Sequence, residues 1–274
     1  MLLKRTTLVI LCSLAIFIGF AIRLISILPG WRRPPPRRKR GSPTALMVVL
    51  GSGGHTSEML YMLEDIDLAS FTHRAYVVST GDSFSLIKAK EFEDNKEQRI
   101  PKFSPEWTAL SQISTTNRNE TLYANAENSK DFKIHVVPRA RLIYQSLLTT
   151  PFSAFRCLIA CTQLLIRESK SQQKYPDIII TNGPGTAAVL VGAALLLRFV
   201  NLHGANKSDC MRIIYVESWA RIRTLSLTGR LLLPLVDRFI VQWKELEVYG
   251  RKCEYHGPLV FGNYQKHRHL KIER

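Results

Sequence analysis

The sequence predicts a single α/β domain, a Rossmann-like doubly wound parallel sheet, carried on an N-terminal transmembrane helix. Three observations predict it. Short apolar runs alternate with helix-like runs from Thr44 to Gln242, and buried strands separated by helices imply a parallel sheet covered on both faces. Two of the strand-to-helix junctions are rich in glycine. The 274-residue chain is 46% hydrophobic, which excludes a disordered or collagen-like protein. Beyond residue 43 roughly 230 residues remain, enough for one core.

Residues 6–22 carry no charge and are almost wholly apolar, and 24–28 extend the run past Arg23. A bilayer-spanning helix needs about 20 such residues, so residues 1–30 are expected to be an anchor, with Arg23 reaching its charge to the interface. A cleaved signal peptide is disfavoured, because there is no small-x-small site and Pro29, Trp31 and a block of arginines follow. Lys4 and Arg5 precede the span; Arg32, Arg33, Arg37, Arg38, Lys39 and Arg40 follow it. The heavier positive flank stays in the cytosol, which places the rest of the chain there. Residues 31–43 read as a basic linker stiffened by Pro34, Pro35 and Pro36 and set against anionic headgroups. A plain solvated linker is the alternative.

Within residues 44–261 the expected strands are 44–50, 74–79, 133–137, 177–181, 212–216 and 238–242, and the expected helices 55–63, 144–167 and 185–199. Residues 187–197 are apolar nearly all round but too short to span a bilayer, and read as a buried crossover helix. Residues 91–131 are polar, hold Pro101 and Pro105 and show little periodicity, so a mobile insertion outside the core is expected. Residues 262–274 form a basic tail. Lys and Arg number 38 against 22 Asp and Glu, a net +16, with nine positive side chains before residue 44 and no acid among them. That asymmetry describes a membrane face and does not imply nucleic acid. Five scattered cysteines suit a reducing compartment. Cys157 and Cys161 lack two further ligands and read as core residues, and His267 and His269 as solvated ones, so no metal site is expected.

The chemical signal begins at Gly51, Ser52, Gly53, Gly54, His55 and Thr56, directly after a strand and opening a helix. Glycines let backbone amides approach a ligand, and a helix start favours an anion, so a phosphate is the natural guest. The turn is not a P-loop, since no Gly-Lys-Ser/Thr follows. It departs from the dinucleotide fingerprint too, because Thr56 stands where the third glycine belongs and Ser79, not an acid, ends the second strand. A second turn, Thr181, Asn182, Gly183, Pro184, Gly185 and Thr186, repeats the logic. A third segment, Tyr215, Val216, Glu217 and Ser218, precedes Arg221 and Arg223. Glu217 reads as a general base or hydroxyl clamp, or as a carboxylate paired with Arg221; the arginines would neutralise phosphate. In a doubly wound sheet all three segments border one crevice.

These motifs in this order, behind an N-terminal anchor and followed by the 221–229 stretch and Phe239, Ile240, Val241, Gln242 and Trp243, resemble one family. It is the membrane-anchoring subunit, numbered fourteen, of the asparagine-linked glycosylation pathway, and the resemblance covers most of residues 44–261. The resemblance implies a half-enzyme: the acceptor half of a two-domain, GT-B type glycosyltransferase. A soluble catalytic partner, subunit thirteen, binds UDP-N-acetylglucosamine, and the pair adds the second GlcNAc to GlcNAc-diphospho-dolichol at the endoplasmic reticulum membrane, which is continuous with the nuclear envelope. The enzyme adding the first GlcNAc is a further implied partner, and no cofactor is implied. The implied diphosphate site is the first turn, Ser52, Gly53, Gly54 and Thr56, with Asn182, Gly183, Gly185, Thr186 and Arg221 across the crevice. His55 would deprotonate or position the acceptor hydroxyl, or else be a structural helix-start residue. The apolar Leu259, Val260 and Phe261 within 255–264 are expected at the partner contact. The 91–131 insertion and the tail depart from the family pattern. A membrane scaffold contributing no active-site group is the competing function, and an anchored nucleotide-binding oxidoreductase a weaker one. Asn119 and Asn206 head glycosylation tripeptides that a cytosolic chain leaves bare.

Overall fold

A computed structural model describes residues 2–37, 42–64, 66–67, 70–99, 132–142, 144–146 and 148–261. Seven strands form one sheet: β1 Ala45–Val49, β2 His73–Ser79, β3 Phe132–Val137, β4 Ile178–Asn182, β5 Arg212–Val216, β6 Arg238–Val241 and β7 Cys253–Tyr255. Their order is β3-β2-β1-β4-β5-β6-β7, and every pairing is parallel. Parallel pairing follows from the crossovers, which are helices α2 Gly54–Glu64, α3 Ser83–Arg99, α4 Thr150–Ser171, α5 Thr186–Val200 and the short α6 Leu227–Leu232.

The sheet is covered on both faces. In β1, Met47 and Val49 join a core with Leu164 and Leu165 of α4 and Leu190, Val191 and Leu197 of α5. Leu46 and Val48 join a second core with Met59 and Leu63 of α2 and Leu86 and Phe92 of α3. Alternate residues of one strand thus serve opposite layers, which is why the strand reads as unbroken apolar sequence. Cys157 and Cys161 are fully buried in the first core, as expected.

Two expectations shift, and one strand was not foreseen. Helix α3 runs to Arg99, so the first nine residues of the expected insertion are helical; Phe92 is buried, and Glu93 accepts from Arg74 Nε at 2.8 Å and from the Tyr76 hydroxyl. Polar composition hid this turn because its inward groups are paired charges, while residues 100–131 lie outside the described residues. Helix α4 starts at Thr150, not 144, because Tyr144 takes φ 62°, a left-handed conformation, and Pro151 suits a first turn. Strand β7 is too short to carry a sequence pattern.

Helix α1, Leu2–Ser26, precedes the domain. Among the described residues no helix is long and apolar enough to cross a membrane; in α1 the side chains of residues 2–5 and 7–9 lie outside that set. Arg23, expected at the interface, instead donates to the carbonyls of Phe199 (2.7 Å) and Arg198 (2.5 Å). Those carbonyls end α5, where a cation is favoured. Phe20 packs on Phe199 with ring centroids 5.1 Å apart. Arg32, expected among the headgroup-facing charges, turns inward and donates to the Lys207 carbonyl at 2.6 Å. The linker therefore begins docked on the domain.

Candidate functional site

The strand order reverses between β1 and β4, and a crevice opens where successive crossovers leave in opposite directions. Both glycine turns sit at that point. After β1 the chain bends through Gly53 (φ 60°) into α2, and Ser52, Gly53 and Gly54 are exposed, their amides at the start of an eleven-residue helix. After β4 it bends through Gly183 (φ 80°) and Gly185 (φ 61°) into α5. Positive φ is why glycine stands at these places.

The turns are tied to each other through His55. A Cβ on Gly51 would stand 2.6 Å from the His55 Cβ, and one on Gly183 would stand 3.1 Å from its ring. The imidazole is therefore wedged between two bare stretches of backbone. Asn182 is fully buried and donates from Nδ2 to the His55 carbonyl at 2.7 Å. Its side chain sets the geometry of the turn and does not line the opening. Thr56 likewise faces inward: fully buried, its hydroxyl donates to the Gly51 carbonyl and lies 2.5 Å from Ser85 Oγ. Thr186 Oγ1 shares a hydrogen bond of 2.9 Å with Ser79 Oγ. A hydroxyl at the end of β2 thus spans the switch point where a dinucleotide site would carry an acid.

Glu217 directly follows β5 and has only 1% exposure. Its Oε2 accepts from Ser226 N and Ser226 Oγ, both at 3.0 Å, and its Oε1 from Ser218 N at 3.1 Å. A Cβ on Gly229 would stand 2.2 Å from Oε2, so α6 approaches this carboxylate where only glycine fits. This geometry organises residues 218–229, and the partner expected from spacing, Arg221, is exposed to solvent. Ser226 caps α6 by accepting from Gly229 N at 2.9 Å.

Sequence reasoning missed Glu58. Its Oε2 lies 3.6 Å from His55 Nδ1, and its Oε1 accepts from Ser218 Oγ at 3.0 Å. A carboxylate three residues after a histidine on one helix shares its face, so the spacing was available. The histidine, carboxylate and serine link the first turn to the third segment. At 3.6 Å the pair is longer than a hydrogen bond, and His55 Nδ1 and Glu58 Oε2 are both buried without a hydrogen-bond partner. Asp82 and Ser85 were missed as well. Ser85 donates to Asp82 Oδ2 at 2.7 Å and Asp82 caps α3 through Ser85 N at 3.1 Å, which holds the hydroxyl against the first turn. At the far edge Trp243 Nε1 donates to the Trp219 carbonyl at 2.7 Å, with the rings 4.3 Å apart.

Parallel sheet, reversed strand order and two glycine turns at the switch point define a Rossmann-like α/β domain. Residues 46–259 match the family described as "Oligosaccharide biosynthesis protein Alg14 like", and the chain belongs to that family. It is similar to proteins named UDP-N-acetylglucosamine transferase subunit ALG14: one from Debaryomyces hansenii, 35% identical over 92% of this chain and 96% of that protein. One from Yarrowia lipolytica is 35% identical over 93% and 99%, and one from Homo sapiens 32% identical over 79% and 83%. No solved structure matches the chain.

Proposed function

We propose that this chain is the membrane-anchoring, acceptor-binding subunit of a heteromeric UDP-GlcNAc transferase. In this reading it is the acceptor half of a GT-B pair that adds the second GlcNAc to GlcNAc-diphospho-dolichol on the cytosolic face of the endoplasmic reticulum. The observation that carries it is the convergence of both glycine turns on His55 at the switch point. That gives exposed amides for a diphosphate beside a histidine held between Gly51 and Gly183, with Glu58 Oε2 at 3.6 Å from its Nδ1. The described residues form one such domain, and a sugar-nucleotide donor needs a second, which a soluble subunit thirteen would supply. The acceptor's 4-hydroxyl attacks the anomeric carbon of the donor sugar, the bond to UDP breaks, and His55 takes the hydroxyl proton.

The face beside the crevice supports a lipid acceptor. Residues 132–167 contain no Asp or Glu. Leu142, Tyr144, Leu148, Phe152 and Phe155 are exposed there, Tyr144 completely, with the exposed Arg141 and Arg156 among them. The patch reaches the second turn, since Ala140 is the neighbour a Cβ on Gly185 would meet. An apolar surface rimmed by arginine fits an anionic bilayer. Apolar side chains of α1, from Ile10 to Ile25, are exposed as well, which suits a bilayer anchor.

Reconstitution with and without subunit thirteen, assaying GlcNAc transfer from UDP-GlcNAc to a lipid-diphosphate acceptor, tests the proposal. Transfer should require both chains, and transfer by this chain alone would refute the half-enzyme reading. Phe152→Asp with Phe155→Asp should lower transfer to a long-chain acceptor in vesicles about tenfold or more and spare a short-chain soluble acceptor. Equal loss on both would remove the patch from lipid delivery.

A further inference from the structure

At the end of the sheet opposite the glycine turns, three guanidinium groups converge on one carboxylate. Asp237, just before β6, is approached by Arg212 Nη1 at 2.6 Å, Arg198 Nη2 at 3.1 Å and Arg32 Nη1 at 3.6 Å. Its Oδ2 also accepts from Ile213 N at 2.9 Å, so the carboxylate has little capacity left. The side chains of Arg32 and Arg198 are 2% and 0% exposed. Nε and Nη1 of both are buried without a hydrogen-bond partner. Burying guanidinium N–H groups unpaired is costly, and three cations around one anion add repulsion. Burial, together with Arg198 nearby, pulls Arg32 down to about 10. Three guanidinium groups on one carboxylate leave two positive charges uncompensated.

Arg32 also lines a depression of about 490 Å³, together with Trp31, Arg33, Asn206, Lys207 and Ser208. Arg33 and Lys207 are exposed at its rim, and Asp209 is the single acid on its wall. The depression opens where α1 ends, and Trp31 is 75% exposed beside it. Aromatic side chains favour the headgroup level of a bilayer, and arginine is suited to planar hydrogen bonding of phosphate.

We propose that this depression is a second anion site, distinct from the crevice, which takes a phosphate group, with the headgroup of an anionic membrane lipid as its source. Arg32 supplies unpaired N–H donors, Arg33 and Lys207 close over the phosphate, and Trp31 covers the glycerol end. Occupancy fixes the angle between α1 and the domain, because Arg32 lies six residues beyond α1 and donates to the carbonyls of Lys207 and Cys210.

The test uses the full chain with its partner in uncharged detergent, titrated with dioctanoyl phosphatidate, dioctanoylglycerol and inorganic phosphate, and read by thermal shift and native mass spectrometry. Saturable binding of the phosphatidate but not of dioctanoylglycerol is expected, weakened tenfold or more by the double variant Arg33→Ala/Lys207→Ala, whose side chains are exposed. Binding should persist in Gly54→Asp, which places a carboxylate in the first turn. Inorganic phosphate binding as tightly as the phosphatidate would support the anion site but overturn the lipid as its source. No saturable binding by either phosphate probe, binding unchanged in the double variant, or binding lost in Gly54→Asp would overturn the site.

Discussion

The His55 imidazole is held by what its neighbours lack. Gly183→Ala brings a methyl group within 3.1 Å of the ring at φ 80°, so a loss of about 1–3 kcal/mol is expected in chemical denaturation. His55→Ala relieves that contact, and should lower transfer about tenfold or more while co-purification with the partner stays unchanged. Unchanged turnover would remove His55 from the chemistry. The glycines and His55 were legible in the sequence because backbone demands leave a mark on residue type. The inward turn of Thr56 and Asn182 was not, since a hydroxyl or amide serves a ligand or a buried carbonyl equally well. Glu217 was ambiguous for the same reason. Its role emerges only from the packing of Gly229, a residue twelve positions away, where an added Cβ would stand 2.2 Å from Oε2.

At the scale of elements, strands announced themselves wherever both faces are buried, as in β1, while α3 went unread because its polar, charged sequence shows little apolar periodicity. A second charged knot holds β2, β3 and α4 together. Glu168 is 5% exposed and receives His73 Nε2 at 3.0 Å and His135 Nε2 at 3.1 Å, with Lys133 Nζ at 3.6 Å. Burial pushes this carboxyl up, but the close approach of His135 and His73 outweighs it and holds its pKa well below the ordinary carboxylate range. A lowered folded pKa contributes stability above the unfolded value, and that contribution fades as pH falls below about 4 toward the folded one. Glu168→Gln should therefore cost about 1–3 kcal/mol near neutrality, with the wild-type and variant melting curves converging in acid. A constant gap down to pH 2 would contradict the assignment. Arg23→Ala should cost about 1 kcal/mol, read as a lower melting temperature of the full chain in micelles.

For the whole molecule, the length of the chain and the order of its motifs were enough to read one domain and its family. What stayed hidden was how the first 37 residues sit on it, because Arg23 and Arg32 look alike as membrane-flank charges and differ only in the carbonyls they find. Removing residues 259–274 should abolish co-purification with the partner. Leu259 packs half-buried against the α2 core, so circular dichroism of the truncated chain is the companion measurement; full co-purification would contradict the contact. The tie from Asn182 to the His55 carbonyl reaches further than local order. It rivets the first turn of α2 to the tip of β4, so the mouth between the two glycine turns has one width and no jaw of its own. Admission of a guest would then be a matter of arrival alone, giving single-phase association in stopped flow, and any timing must be imposed by whatever settles over the exposed rim.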